Sequence, residues 1–584
     1  MFVHLVVVLC TLGVALGNNA FLEAHLSTMK ELLERRESEG SRLHRLEHKI
    51  EDVLVDAHAI KFLVDIHDGE DGSCDELCVG YITEKMLEGK AFMNWQWFAD
   101  TISKIYGNEL TSDPYMPQEL HLALTADSSI MNIMFVTVSE LSSPFVQWRP
   151  TPADATVAID WTDTATVFTA PAVPSTYRVP QKWWPIFTGT IYSANMNKLI
   201  ADTSYTYRVG GTAADGTVSF SAEFAYKAQP NRDPNRKTTI ATLADHGTFE
   251  LLGWKTMQTM KARQAELEIN AVHVSGDLSY AGLSSEMKHL GIGKEDEMEH
   301  VWDLLFIQNQ PVAATVPWMV TNGNHERFYD WAAYKARFTM PDNQPSGLAS
   351  NGSFWYTYEF GNSRWISISS EHDLSVGSPQ NLFLIQALQE AVANRAQVPW
   401  IVVSIHKPMY CSNGGWGGPT GTSQYQALLE SYMIQYDVDL MVTGHLHAYE
   451  RVHPTANGQV TAYPENTRAN GQVDTYYSTG KGPVQVVQGN TGGMQGGTHN
   501  WLHPAPAWSG KRFANGAVPQ NETSVEIDKK GIIQKIKKIK DYHYVDTYGF
   551  GLATFHNATH LYYQAIPVEN NKVGTDAFWI VKRQ

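Results

Sequence analysis

Cysteine is scarce in this sequence, with four residues among 584. Cys10 lies in an apolar N-terminal run, which leaves Cys74, Cys78 and Cys411 for the rest of the chain. An odd remainder leaves at least one thiol without an intramolecular partner and excludes a scaffold built from disulfides. Cys74 and Cys78 fit either a short local disulfide or two small buried thiols on a helix, and the sequence leaves both open.

Positively charged residues are also outnumbered. The sequence has 44 Lys and Arg but 61 Asp and Glu, for a net charge of −17. Such a surface repels polyanions, so nucleic-acid binding is excluded as the main role. A small basic or metal-containing pocket for a single phosphate remains compatible with it. The hydrophobic fraction of 43% is ordinary for globular proteins. At about 150 residues per domain, the length predicts three or four domains.

Long apolar runs are missing except at the N-terminus. Residues 2–16 are almost wholly apolar, but a membrane span needs about 20 such residues. We therefore expect a signal peptide over 1–17 with small residues near the cleavage site, or alternatively a buried N-terminal strand. Three glycosylation sequons begin at Asn351, Asn521 and Asn557. Together these features predict a glycoprotein that is secreted or sent to a lysosome- or vacuole-like compartment, without a transmembrane segment.

Four further segments follow the leader. Residues 18–112 carry apolar side chains at helical spacing, which predicts a helical extension that either packs on its own chain or self-associates. Residues 113–228 are β-rich with turn signals, as in an all-β sandwich, and a Pro- and Asn-rich linker follows. Residues 236–566 alternate apolar strands with helical segments, which indicates an α/β domain, and 567–584 are expected to form a C-terminal tail. A basic run at 529–540 fits either an anionic surface contact or a solvated loop.

Five polar clusters of the α/β segment each follow an apolar strand-like run. Ligand sites of layered α/β domains lie at the carboxyl ends of strands, so these clusters are where we expect chemistry. They are Asp245-His246-Gly247, Gly276-Asp277-Leu278-Ser279-Tyr280, Gly323-Asn324-His325-Glu326, Val403-Ser404-Ile405-His406 and Gly444-His445-Leu446-His447.

The clusters supply two carboxylates, a phenol, a carboxamide and three imidazoles as donors. Carboxylate and phenolate oxygens suit a hard trivalent ion, whereas imidazole suits a divalent transition metal. Two ions about 3.5–4 Å apart can hold both oxygens of an in-line phosphoryl displacement. A single buried His or Asp is usually a hydrogen-bonded core residue, but five clusters in order after five strands favour a binuclear metal site.

With these motifs the chain resembles the purple acid phosphatases, a family of the calcineurin-like metallophosphoesterases. The resemblance covers about residues 113–565 and implies a four-layer α/β/β/α catalytic sandwich preceded by a fibronectin-III-like domain. It implies that Fe(III) is held by Asp245, Asp277, Tyr280 and His447, with Asp277 bridging. It further implies that a divalent ion (Fe, Zn or Mn) is held by Asn324, His406 and His445. Gly247 and Tyr280 separate this family from the wider superfamily.

His325 is adjacent to the ligand Asn324 and is not expected to bind metal. The resemblance makes it a phosphate-binding group or the proton donor to the leaving oxygen, a task that suits an imidazole because it titrates near neutral pH. A structural hydrogen-bonding role is the alternative. The segment 407–421 lacks the His-His pair of large plant members, which removes two candidate substrate contacts.

These features predict a secreted acid phosphatase that hydrolyses small phosphate monoesters by attack of a metal-bound hydroxide at an Fe(III)–M(II) centre. A phosphodiesterase or nucleotide pyrophosphatase using the same metals is the alternative, since the ligands alone do not separate these reactions. A binding protein built on a degenerate enzyme domain is the third possibility, but it would be favoured by a lost ligand and none is lost.

Overall fold

The chain divides into two compact units, Met1–Ser112 and Asp113–Gln584, and the computed structural model describes the second. The described residues are 113–582 except 155–157, 181–188, 249–251, 284–295, 298, 346, 351, 413–418, 466–472, 479–481, 494–500, 503, 515, 520–541, 546–547 and 569–574. Several predictions lie outside the described residues: the signal peptide, the helical extension, Cys74, Cys78, the sequons at Asn351 and Asn521, and the basic run at 529–540.

The first part of the described chain is a β domain of two antiparallel sheets. One sheet has the order β1-β2-β6-β5, and the other has the order β4-β3-β7-β8 with β9 also paired to β7. The strands are β1 (Gln118–Leu124), β2 (Met131–Thr137), β3 (Ser142–Pro150), β4 (Phe168–Pro171), β5 (Val173–Ser175), β6 (Thr190–Met196), β7 (Ser204–Thr212), β8 (Val218–Phe220) and β9 (Phe224–Lys227).

The core of this β domain follows from alternation along its strands. In β3 the side chains of Val146 and Trp148 are buried while their neighbours are partly exposed, because successive residues of a strand point to opposite faces. Phe135 stacks on Tyr192 with ring centroids 4.8 Å apart. Aromatic pairs of this kind add about 0.5–1.5 kcal/mol beyond the area that they bury.

The second part of the described chain is an α/β domain. Its helices are α1 (Leu252–Arg263), α2 (Glu299–Ala313), α3 (Phe328–Arg337), α4 (Pro379–Ala393) and α5 (Pro419–Gln435), and a 3-10 turn spans Asn324–Glu326. Its strands are β10 (Thr238–Leu243), β11 (Ala271–Ser275), β12 (Gly282–Leu283), β13 (Asp296–Glu297), β14 (Trp318–Thr321), β15 (Tyr356–Phe360), β16 (Ser363–Ser367), β17 (Trp400–Ser404), β18 (Leu440–Thr443), β19 (Ala448–Val452), β20 (Thr455–Ala456), β21 (Gln459–Val460), β22 (Asp474–Ser478), β23 (Val484–Gln488), β24 (Ser509–Ala514), β25 (Gly516–Pro519), β26 (Tyr542–Val545), β27 (Gly549–Phe555), β28 (His560–Pro567) and β29 (Asp576–Lys582).

Two seven-stranded mixed sheets form the centre of this domain. Their orders are β14-β11-β10-β27-β28-β29-β22 and β15-β16-β17-β18-β23-β19-β24. In the first sheet β10, β11 and β14 are parallel, and in the second β16, β17, β18 and β23 are parallel. The parallel strands β10, β11, β17 and β18 are fully buried and mostly apolar, as expected for strands covered on both faces.

Buried polar side chains connect the two sheets. Ser275 of the first sheet and Ser404 of the second lie 2.9 Å apart, oxygen to oxygen, and Tyr563 donates to Gln488 at 2.8 Å. His273 approaches the hydroxyl of Tyr358 to 3.1 Å. Because a buried polar group without a partner is costly, these bonds fix the mutual register of the sheets. The carboxyl ends of β11 and β17 are thereby brought together.

Arg337 joins the β domain to the α/β domain. Its guanidinium bonds Glu119 of β1 at 3.1 Å, Asp303 of α2 at 2.5 Å and the hydroxyl of Tyr177 at 3.0 Å. Its side chain is 1% exposed, and these partners stabilise the buried charge. Arg337 ends the helix that follows the 3-10 turn, and the β domain therefore contacts the segment that carries Asn324 and His325.

The expected order of a β domain followed by an α/β domain is confirmed. The structure differs from the prediction at the C-terminus, where we expected a tail over 567–584. Residues Asp576–Lys582 form β29, which pairs with β28 and β22 in the first large sheet. Buried residues at alternate positions, Asp576, Phe578 and Ile580, explain this pairing. No helix in the described part of the chain is long and apolar enough to cross a membrane.

Candidate metal centre

The five clusters predicted to carry the chemistry meet at one place. They follow β10, β11, β14, β17 and β18, whose carboxyl ends share one edge of the two sheets. Direct contacts connect all eight of the predicted residues, which are Asp245, Asp277, Tyr280, Asn324, His325, His406, His445 and His447. The arrangement depends on parallel strands ending side by side.

The backbone of the centre is strained where it turns out of the strands. Asp277, Tyr280 and His445 have φ of 50°, 58° and 72°, in the left-handed region that side chains other than glycine rarely adopt. Gly323 is required for a different reason, since a Cβ at this position would lie 2.3 Å from Oδ1 of Asp277. Such strain persists only where surrounding contacts over-determine the conformation, and it is concentrated at functional sites.

One group of donors surrounds the hydroxyl of Tyr280. This hydroxyl donates to Oδ1 of Asp245 at 3.0 Å, and Nε2 of His447 lies 2.7 Å from the hydroxyl oxygen of Tyr280. Asp245 is fully buried, and its Oδ2 accepts the backbone N–H of His445 at 2.7 Å. A carboxylate, a phenol and an imidazole thus converge within hydrogen-bonding distance, which is a donor set for a hard cation.

The second group surrounds Nε2 of His406. Nδ1 of this ring lies 2.9 Å from the carbonyl oxygen of Ser275 and must donate to it, which in a neutral ring leaves a lone pair on Nε2. That atom faces Oδ2 of Asp277 at 3.1 Å and Oδ1 of Asn324 at 3.2 Å. Three acceptors directed at one point repel one another unless a proton or a metal cation lies between them.

His445 provides a further test of whether a cation fits. Its Nδ1 is buried and has no hydrogen-bond partner among the described residues, while its ring lies 5.1 Å from that of His406. Donor atoms of Asp277, His406 and His445 all lie within 4.8 Å of one another. A buried nitrogen without a partner is costly, and a metal ion would satisfy it. The residues therefore fit a metal centre.

The pKa values of the donor residues agree with this geometry. Burial alone would lower the pKa of His406, but the Asp277 carboxylate raises it to about 10. Burial also opposes ionisation of Asp277, yet His406 and His325 hold its pKa well below the usual range. Burial and the carboxylates of Asp245 and Asp277 raise the pKa of Tyr280 well above normal. A negatively charged cavity that needs a positive charge is the common cause.

His325 is placed differently from the donors. Its backbone N–H donates to Oδ1 of Asp277 at 2.9 Å, and its ring lies 4.5 Å from that of Tyr280. Nδ1 donates to the carbonyl of Gly282 at 2.8 Å, which fixes the tautomer of a neutral ring. Nε2 is then the nitrogen left for a molecule bound at the centre.

Glu326 is a functional residue whose role the sequence did not disclose. Its carboxylate accepts three backbone N–H groups, from Asp277 at 3.0 Å, Leu278 at 2.8 Å and Gly323 at 2.7 Å. It is buried, and burial together with Asp277 raises its pKa to about 8. Glu326 therefore fastens the loop after β11 to the loop after β14. The signal was its place in the Gly-Asn-His-Glu motif, but two of its three partners, Asp277 and Leu278, are distant in sequence.

Comparison with known protein families gives separate matches for the β domain and the α/β domain. Residues 117–228 match the family model for the purple acid phosphatase N-terminal domain, and residues 241–449 match the model for calcineurin-like phosphoesterases. Together the two matches cover more than half of the chain, and the second spans every residue of the centre. The chain belongs to the purple acid phosphatase family.

Individual members of the purple acid phosphatase family agree with this assignment. Human acid phosphatase type 7 is 25% identical, over 80% of this chain and 91% of that protein. Purple acid phosphatase 18 of Arabidopsis thaliana is 28% identical, over 68% of this chain and 77% of that protein. A purple acid phosphatase from yellow lupin seeds shares the fold, with a TM-score of 0.60 and 21% identity over 80% of this chain and 75% of that one. The resemblance found in the motifs is confirmed, and the chain is an enzyme of the acid phosphatase type.

Replacing Glu326 by Gln tests its role as a clamp. An amide has one acceptor oxygen and one NH2 group, so an N–H of Asp277, Leu278 or Gly323 would face another N–H. We expect a loss of about 1–3 kcal/mol in the free energy of unfolding. We also expect roughly 10- to 100-fold weaker metal binding, because Asp277 loses its support. Urea unfolding and metal analysis measure the two effects, and native metal content in E326Q would contradict the assignment.

Proposed function

We propose that this chain hydrolyses phosphate monoesters as a metal-dependent acid phosphatase with an Fe(III)–M(II) centre. The observation that carries the proposal is the convergence of two donor groups at one sheet edge. One surrounds the hydroxyl of Tyr280, and the other surrounds Nε2 of His406. Asp277 contacts His406 of the second group. Asp245 contacts Tyr280 of the first group and the backbone N–H of His445. Such links are expected for a site that binds two ions close together.

The donor chemistry favours one ion for each group. Asp245, Tyr280 and His447 would hold Fe(III), because a phenolate and a carboxylate are hard, anionic ligands. Asn324, His406 and His445 would hold the divalent ion, and Asp277 would bridge, since one anion between two cations offsets their repulsion. When bound, the two ions supply charge neutralisation of the phosphoryl oxygens and activation of water for in-line attack. The divalent ion is Fe, Zn or Mn in this proposal.

The chain itself supplies proton transfer and orientation. Nδ1 of His325 donates to the carbonyl of Gly282, so in the imidazolium form Nε2 carries the proton that can pass to a phosphoryl or leaving oxygen. Its backbone N–H, bound to Asp277, holds the ring beside the proposed bridge. We propose that His325 protonates the leaving alcohol, with phosphate binding as the outcome to be excluded.

Several finer features belong to the proposal. The β domain would be fibronectin-III-like, and the protein would be secreted or delivered to a lysosome- or vacuole-like compartment. The side chain of Asn557, the acceptor of one sequon, lies in the turn between β27 and β28. There its Oδ1 accepts the N–H and hydroxyl of Thr559 at 2.9 and 3.0 Å. Glycosylation of Asn557, Asn351 and Asn521, and self-association through the N-terminal helices, remain predictions.

Hydrolysis of p-nitrophenyl phosphate compared with bis(p-nitrophenyl) phosphate tests the proposed reaction. A monoesterase should turn over the monoester with a much larger kcat/KM than the diester at acidic pH, and removal of the metal by a chelator should abolish both activities. A preference for the diester would favour the phosphodiesterase alternative. Absence of turnover in a metal-loaded preparation would favour a binding protein.

His325→Ala tests the proton donor. We expect both metals to remain bound, because His325 contributes no donor to either group. Turnover of a substrate with a poor leaving group, such as an alkyl phosphate, should fall by roughly 10²–10⁴. Turnover of p-nitrophenyl phosphate, whose leaving group needs little protonation, should fall much less. Equal losses on both substrates would instead assign His325 to phosphate binding.

Tyr280→Phe tests the Fe(III) side of the centre. A phenolate bound to Fe(III) gives a visible charge-transfer band, so the oxidised wild type should be pink to purple. The variant keeps the ring but removes the oxygen that contacts Asp245 and His447, and the colour should disappear even if both metals stay. A colourless wild type with full oxidised iron would contradict the Fe(III)–tyrosinate assignment.

A further inference from the structure

A buried loop behind the centre contacts the segments on both sides of the second donor group. This loop, Ser369–His372, follows β16, whose neighbour in the sheet is the strand that leads to His406. Ser369 and Ser370 are buried, while Glu371 and His372 are half-buried. No local motif in the sequence marks this segment.

Ser369 connects the loop to the turn that carries Asn324. Its hydroxyl accepts from Nδ2 of Asn322 at 2.9 Å and from the backbone N–H of Glu371 at 3.1 Å. A hydroxyl has one proton to donate, and Nδ1 of His372 lies 2.7 Å away to receive it. The hydroxyl thus uses its proton and its acceptor lone pairs. The loop is bound to Asn322, which lies two residues before Asn324 in the sequence.

Glu371 connects the same loop to the residue after His406. Nζ of Lys407 lies 2.8 Å from Oε1 and 3.0 Å from Oε2 of Glu371, and the side chains are 23% and 10% exposed. Ser370 donates to Oε1 of Glu371 at 2.8 Å and accepts the backbone N–H of Lys407 at 3.4 Å. This pair is therefore reinforced by neutral hydrogen bonds and is not an isolated surface ion pair.

The far side of the loop is anchored in the domain. The side-chain amide of Gln380 in α4 accepts from the N–H of Ser369 at 2.6 Å and donates to its carbonyl at 3.1 Å. The ring of His372 packs against those of Phe354 and Trp331, with centroids 4.2 and 5.1 Å away. The loop is consequently a rigid support.

We propose that the Ser369–His372 loop positions Asn324 and His406 for the divalent ion, with Ser369 and the Glu371–Lys407 pair as positioning residues. The inference rests on the proposed two-metal function. The Ser369–His372 loop contacts residues beside Asn324 and His406, whereas Asp245, Tyr280 and His447 lie on other loops. The support should therefore affect the affinity for the divalent ion and leave the Fe(III) side unchanged.

Two variants that each remove one charge distinguish positioning of the metal ligands from a simple electrostatic effect on the bound cation. Removing the negative charge of Glu371 weakens cation binding in either case, but removing the positive charge of Lys407 should strengthen it if only Coulomb forces act. If the pair positions the ligands, Glu371→Gln and Lys407→Met both weaken divalent binding, by roughly 10- to 100-fold. Ser369→Ala changes no charge and should weaken it as well.

The measurement is a titration of Zn²⁺, competed by a chromogenic chelator, into protein that holds Fe(III) but has lost its divalent ion. We expect weaker Zn²⁺ binding in S369A, E371Q and K407M, with the charge-transfer band of the wild type retained in each as proof of folding. Asp373→Asn is the matched control, since Asp373 is an exposed carboxylate of the adjoining residue that accepts from Ser375, and its Zn²⁺ affinity should equal that of the wild type.

Three results would overturn the inference: tighter Zn²⁺ binding in K407M, native affinity in S369A, or a loss in D373N as large as in E371Q. The double variant E371Q/K407M should bind no more weakly than the weaker single variant, because one interaction is removed in all three. A wild type that binds no iron, or no Zn²⁺ beside it, would instead contradict the proposed function and is recognised before any variant is compared.

Discussion

Buried acceptor atoms directed at one point repel one another, and this repulsion is the constraint around which the domain is arranged. Nε2 of His406 faces oxygens of Asp277 and Asn324, and Nδ1 of His445 is buried without a partner in the described chain. In water such groups would move apart. In the protein they are held together by strained backbone and by glycines that leave no space for a side chain. Bound cations would relieve this repulsion, and the relief would contribute to the affinity for metal.

The frame that holds the donors consists of two sheets and the clamps between their strand ends. Hydrogen bonds between the sheets fix where β11 ends relative to β17. Glu326 then fastens the loop after β11 to the loop after β14 through three backbone N–H groups. On the other side Glu371 and Lys407 join the ends of β16 and β17. The ligand loops after β11, β14 and β17 are thus held by neighbouring residues, which is how a site attains the geometry that metal ions require.

Much of the site could be predicted from the sequence, because each donor follows a strand and the spacing within each motif is local. The family and the order of the two domains were accessible for the same reason. Glu326 and Glu371 were not, since Glu326 also binds Asp277 and Leu278, 49 and 48 residues away, and Glu371 binds Lys407, 36 residues away. No local pattern marks such contacts. The joining of β29 to the sheet and the role of Arg337 at the domain interface also depend on tertiary contacts that a single sequence does not reveal.

The central claim is that the two donor groups form one binuclear centre with iron in it. Metal analysis of the purified full-length chain, combined with its visible spectrum after oxidation, tests this claim most directly. The account predicts two metal ions per chain, at least one of them iron, and a visible charge-transfer band. An active enzyme that contains a single metal ion per chain, or two ions without iron and without colour, would contradict it.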